Sequence, residues 1–330
     1  MLIGKFKTNH PFLYAVLLLL AILLWMDGFI FYRDTPTLFE ETAPLYSLLG
    51  AFFSYYPFLG ITASFLFMII QAFLFNKVIT EKNLVDRNSQ LPALLFMVLM
   101  SSSFSLFGIH PVWFANLFLI LALDKIFDVF TEEEVYLEIF NVGFLVSFAS
   151  LFYLPALFFI LLLVASLLIY FFVNIRALLA SIMGLITPYI FVVLYYYWFD
   201  MLEEKAAEIV VFAQPLDLLS FQPEPFAWVS IIIFGFVGLV SVFKIYFGTL
   251  PDKPVRIRRR YKLLLVYLIV ALLSVAFSGN HIHIHHGVIM VPLAGIIAGF
   301  FQENKKMFWS ELFFSLILLL ILVGKLARLD

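Results

Sequence analysis

Cysteine is absent from the 330 residues. Its absence removes disulfides, thiolate nucleophiles, iron–sulfur clusters and cysteine-ligated zinc. Charge is scarce as well, at 13% of residues against ~25% in soluble domains, which excludes a soluble enzyme and a disordered chain. Short alternating segments, the mark of a membrane β-barrel, are missing. So are a Walker loop, a dinucleotide fingerprint, a zinc-protease motif and a nucleophile elbow. What remains is 64% apolar, with a mean hydropathy of +1.06 and 42 phenylalanines. At ~20 apolar residues per crossing this is enough for roughly ten or eleven helices. The expected fold is an all-α, polytopic integral membrane protein, one transmembrane domain over residues 1–330, with about eleven transmembrane helices in a range of about 10–12.

The apolar runs divide at polar segments and prolines. A first span falls near 11–32 and a second near 58–76, with an interfacial helix near 45–56 set off by Pro57. Hairpins follow at 92–127, turning at Gly108-Ile-His-Pro111, and at 138–173. Further spans lie near 178–199, 226–247, 263–277, 288–301 and 308–323. Four connections stand out: 33–57, with the interfacial helix; 200–225, acidic and partly amphipathic; 249–262, basic; and 278–287, rich in histidine. Lys and Arg count preferentially on the cytoplasmic side. With eleven spans and a cytoplasmic N-terminus, only Arg33, Lys205, Lys325 and Arg328 of the 20 Lys and Arg fall outside. The run Arg256-Ile-Arg-Arg-Arg-Tyr-Lys262 reads as a topology determinant at anionic head groups rather than as a nucleic-acid site, and no nucleic-acid partner is expected.

Two clusters carry possible chemistry, both in expected external segments. Asp27, Asp34, Glu40 and Glu41 gather at and after the end of the first span. They read either as solvated loop charges or as carboxylates beside a lipid head group, where one acts as general base on an acceptor hydroxyl. The second cluster is Ser278-Gly-Asn-His-Ile-His-Ile-His-His-Gly287, with four of the six histidines. If it is extended, His281, His283 and His285 project from one face and His286 from the other. That pattern is open to three readings: no specific role, contact with an anionic phosphate, or a metal held by His281, His283 and His285. Mid-span ionisable groups are nearly absent, with only polar Gln71 and Asn116 as candidates.

Asn76–Leu95 (NKVITEKNLVDRNSQLPALL), Asn141–Pro155 (NVGFLVSFASLFYLP) and Gly184–Tyr189 (GLITPY) resemble a family of uncharacterised bacterial polytopic inner-membrane proteins, which brings no established activity. The order of elements is also similar to that of GT-C-type glycosyltransferases, which use polyprenyl-phosphate-linked sugars. An acid in the first external loop (Asp34), a following interfacial helix and the Asn141–Ala149 span carry this likeness, together with the passage from His285 through Pro292 to Gly295. Asp34 is followed by Thr35 rather than by a second acid, and histidine stands where those enzymes have arginine. The resemblance implies a bacterial inner-membrane location and a periplasmic site. Asp34 would be the catalytic base, with Asp27 or Glu40 as other choices, and Arg33, His281, His283, His285 and His286 would hold the carrier phosphate. It implies no cofactor beyond the polyprenyl-phosphate donor, and membrane lipids as partners. A non-enzymatic transporter, flippase or scaffold for envelope biogenesis is the alternative.

Overall fold

A computed structural model describes residues 2–8, 10–31, 43–128, 135–212, 225–279, 282–304 and 307–326. Every regular element among them is helical. In an apolar solvent each backbone group needs an internal partner, and a helix supplies one from within a single segment. Eight helices are long and apolar enough to cross a membrane, so the chain is a multi-pass membrane protein.

The elements are α1 (Leu2–Phe6), α2 (Pro11–Phe31), α3 (Pro44–Tyr55), α4 (Pro57–Glu81), α5 (Leu91–Met100), α6 (Pro111–Asp128) and α7 (Val135–Phe152). They continue as α8 (Ile160–Tyr170), α9 (Ile175–Trp198), α10 (Leu202–Phe212), α11 (Pro225–Lys244), α12 (Val255–Leu273), α13 (Ile282–Glu303) and α14 (Met307–Leu326). The expected interfacial helix is α3, ended at Tyr55 because Pro57 opens α4. Four prolines recur in the apolar runs, yet only Pro188 and Pro292 lie inside helices. Pro92 and Pro155 occupy first-turn positions, where the missing N–H costs nothing.

Two helices form the axis of the bundle. All ten residues of α5 are buried, and 89% of the apolar window of α13 is covered by protein. By contrast α9 and α11 cover only 28% of theirs and turn Ile, Leu and Phe outward, which lipid solvates at no penalty. Small residues set the closest approaches, as expected where packing rather than hydrophobicity joins helices. Gly295 of α13 lies against Leu264 and Phe75. Gly143 of α7 and Gly184 of α9 bring those two parallel helices into backbone contact. There Ser147 Oγ donates to the Leu185 carbonyl at 2.7 Å, and Ser150 shares a 2.7 Å hydrogen bond with Tyr189.

Ionic contacts fix the end of the bundle where α2 starts, called here the near end. Lys82 Nζ, just past α4, lies 3.0 Å from Asp124 and bonds Asp128, both on α6. Buried Arg260 of α12 donates to the carbonyls of Lys82 (2.6 Å) and Phe127 (3.3 Å). A guanidinium there satisfies orphan carbonyls at the ends of two helices and complements their dipoles. One residue of the basic run is thus a buried tie, and Arg259 lies 5.7 Å from the Tyr170 ring centroid. On the same end, Lys253 pairs with Glu303 at 2.5 Å and the Ile3 N–H donates to Glu311.

Candidate functional site

The far end, where α2 stops, holds every candidate site residue that the structure describes. Asp27 lies one turn before the end of α2, where its Oδ1 accepts from Lys325 Nζ of α14 at 2.7 Å. Lys325 also bonds the Leu24 carbonyl and sits 4.8 Å from the Phe107 ring centroid. Both charged side chains are 16% exposed. The geometry makes Asp27 a clamp between the first and last long helices, with its carboxylate charge balanced. Arg33, Asp34, Glu40 and His281 lie outside the described residues.

The histidine segment is not extended. Helix α13 begins at Ile282, because no strand partner exists among the described residues and the backbone satisfies itself along the chain. The 3.6-residue period then separates what an alternating strand would align. His283 is exposed, whereas His285 is 1% exposed and points into the bundle. Its Nε2 lies 3.0 Å from the Ala271 carbonyl and 3.3 Å from Ser274 Oγ. A carbonyl only accepts, so Nε2 carries the proton and Nδ1 accepts from Tyr153 Oη at 2.8 Å. Both ring nitrogens are engaged, joining α13 to α12 and to the α7 exit.

A second polar group, built from α4 and α6, reaches the backbone of α13. Asn116 Nδ2 donates to the carbonyl of Gly287 at 3.0 Å. One turn earlier on α6, the Trp113 carbonyl accepts from Gln71 Nε2 of α4 at 2.6 Å. His110, at the head of α6, is buried with its Nε2 2.9 Å from the Phe107 carbonyl. Gln71 and Asn116 are fully buried. His286 Nε2, Asn116 Oδ1 and Gln71 Oε1 are buried with no hydrogen-bond partner among the described residues. Leaving such an atom unpaired costs ~1–3 kcal/mol, so these three are polar groups on α4, α6 and α13 whose bonding needs the packing leaves unmet. Among the described residues no group of three His, Asp or Glu side chains gathers as metal ligands.

Sequence reasoning had flagged Gln71 and Asn116 separately, as the rare mid-span polar residues. It missed Tyr153, whose position before Pro155 suggested only a helix end. His110 reads from the sequence as a turn residue or as a member of the histidine cluster, and the structure buries it at the head of α6. Compared with protein-family models, with curated proteins and with solved structures, the chain matches none.

Proposed function

We propose that the chain is an eleven-crossing bacterial inner-membrane protein that transfers a sugar from a polyprenyl-phosphate carrier at its far, periplasmic end, in a GT-C-like manner. The eleven crossings are the eight long helices, α6, and two interrupted ones: α5 with the turn at 104–106, and 154–170. What supports the count is alternation. Gln90 contacts Phe6 and Tyr14 at the near end, Ile109 meets Tyr46 at the far end, and Asp128 returns to Lys82. Odd parity fits α2 and α14 running parallel, with Asp27 and Lys325 together.

One observation carries the site. The acidic segment 32–42 connects the end of α2 to Ala43, which packs with Tyr46 and Phe152, and the Tyr46 hydroxyl donates to Ile109 beside His110. Its anchors therefore share the far end with the start of α13. In this reading Asp34 takes the proton of an acceptor hydroxyl, whose oxygen bonds the anomeric carbon. The bond to the carrier phosphate breaks, and that phosphate leaves with the electron pair. Arg33, His281, His283 and His286 hold the developing charge. His283 is the exposed member, while His285, taken up by Tyr153 and Ala271, positions the helix.

The test uses protein in nanodiscs containing a panel of radiolabelled polyprenyl-phosphate monosaccharides, and follows release of carrier phosphate by mass spectrometry. Wild type should release it from at least one donor, and Asp34→Asn should slow release about 10²–10⁴-fold, the usual contribution of a general base. Undiminished release from Asp34→Asn refutes the assignment. The unmet buried polar groups of Gln71, Asn116 and His286 favour a second reading, a transporter or flippase. Release from no donor, with activity lost in Asn116→Leu in a growth assay, would select it.

A further inference from the structure

A cavity of about 870 Å³ opens at the near end, between α2, the last two turns of α4 and the 82–90 connection. It lies away from the site proposed above and does not depend on it. Its walls are of two kinds. Tyr14 and Phe73 form an aromatic side, their ring centroids 5.7 Å apart, continuous with the outward apolar surface of Leu18, Leu66 and Ile70. Its mouth is polar, with the exposed cations Lys77 and Arg87 facing one exposed acid, Glu81. Two side-chain contacts border this mouth. Gln90 Nε2 donates to Tyr14 Oη at 2.9 Å, and Arg87 Nε reaches Asn83 Oδ1 at 3.4 Å.

An apolar wall open to the bilayer side, beneath a net-positive rim, suits an amphipathic anion. A small soluble anion would use the rim and leave the aromatic wall empty. We infer that this groove binds an anionic membrane phospholipid, its phosphate between Lys77 and Arg87 and the start of an acyl chain along Tyr14 and Phe73. The volume lies within the ~300–1,000 Å³ of small-ligand sites, enough for a head group and the first carbons of its chains. Basic pockets between membrane helices are recurrent head-group sites.

The experiment titrates the detergent-solubilised full chain with phosphatidylglycerol, phosphatidylcholine or inorganic phosphate and reads adducts by native mass spectrometry. One phosphatidylglycerol should be retained about tenfold more tightly than phosphatidylcholine, and Lys77→Ala with Arg87→Ala should remove about that factor. Lys244→Ala with Lys262→Ala, which removes two exposed cations outside the cavity, should leave retention unchanged, as should the swap Lys77→Arg with Arg87→Lys. Three results would overturn the inference: equal retention of both lipids, equal loss in the Lys244/Lys262 control, or displacement of lipid by inorganic phosphate at matching concentration. The last would make the groove a site for a free anion. All three double variants change exposed side chains, and an unaltered melting temperature verifies their folding.

Discussion

Adding one methyl group at Gly143 is the sharpest test of how α7 meets α9. A Cβ built there lies 2.7 Å from the Ser181 carbonyl oxygen and 3.2 Å from the Leu185 nitrogen. Ordinary carbon–oxygen contacts begin near ~3.3 Å, so the helices must part by about 0.6 Å. Both obstructing atoms are backbone, and no rotamer change relieves them. A gap of that size forfeits roughly a quarter or more of each facing dispersion contact, and overpacking of this kind costs about 1–3 kcal/mol. The Ser147–Leu185 hydrogen bond, now 2.7 Å, stretches toward the limit of useful geometry and adds about 0.5 kcal/mol. Alanine returns about 0.8–1 kcal/mol through helix propensity, leaving a net loss of about 2 kcal/mol. Taking an unfolding entropy of ~2.1 cal/mol/K per residue, that is about 3 °C for a chain of this length. Gly235 of α11 is the control, since nothing lies within 4 Å of its Cβ position. Gly235→Ala should raise the melting temperature by about 1 °C through propensity alone. Thermal unfolding of both variants in one detergent decides the matter: if Gly143→Ala melts at or above Gly235→Ala, the close-contact account of this interface is wrong.

Removing the Asp27 charge should destabilise by about 1–3 kcal/mol, because it strands Lys325 at 16% exposure. Asp27→Asn combined with Lys325→Met should recover most of the loss, and a double-mutant cycle on melting temperature gives the coupling. At Lys82, burial pulls the ammonium pKa down, but hydrogen bonds and charges from Asp128 and Asp124 outweigh it, leaving the pKa above its ordinary value of 10.5. With the folded value above the unfolded one, this stabilisation is complete below about 10.5 and fades as pH climbs through the folded value. Lys82→Met should therefore melt lower at pH 7 by about 1–3 kcal/mol, the aspartates being partly exposed, and should lose less than wild type on moving to high pH. Tyr153→Phe leaves His285 Nδ1 without its donor in the core and should cost about 1–3 kcal/mol; no change in unfolding would sever Tyr153 from that network.

Hydropathy made the helices legible, because long apolar runs ended by Lys, Asp and Pro leave the chain few alternatives. Even the short helix before Pro57 was readable, since a proline can start α4 but cannot continue α3. The histidine segment misled for a local reason. Alternating His and Ile mimics a strand, yet the pattern is only a few residues long and a bundle offers no edge to pair with. Tertiary partners were the larger gap. Asp27 and Lys325 are 298 positions apart and Tyr153 and His285 132, and neither a period nor a spacing records which face of a helix meets which neighbour. The Asn141–Ala149 stretch was readable as a motif, but its work is mechanical: Gly143 admits the α9 backbone and Ser147 bonds it.

The pairing of Asp27 with Lys325 has a consequence for biogenesis. Ribosomes add about 5–20 residues per second, so the 298 residues between the two charges take roughly 15–60 s to make. Throughout that interval the carboxylate near the end of the first long helix waits without its partner, facing either water or a temporary lipid or chaperone cation. Arrival of α14 both neutralises it and ties α14 to α2. The clamp thus makes the charge balance of the first long helix depend on a residue made much later: a nascent chain stopped short of Lys325 carries Asp27 without this cation.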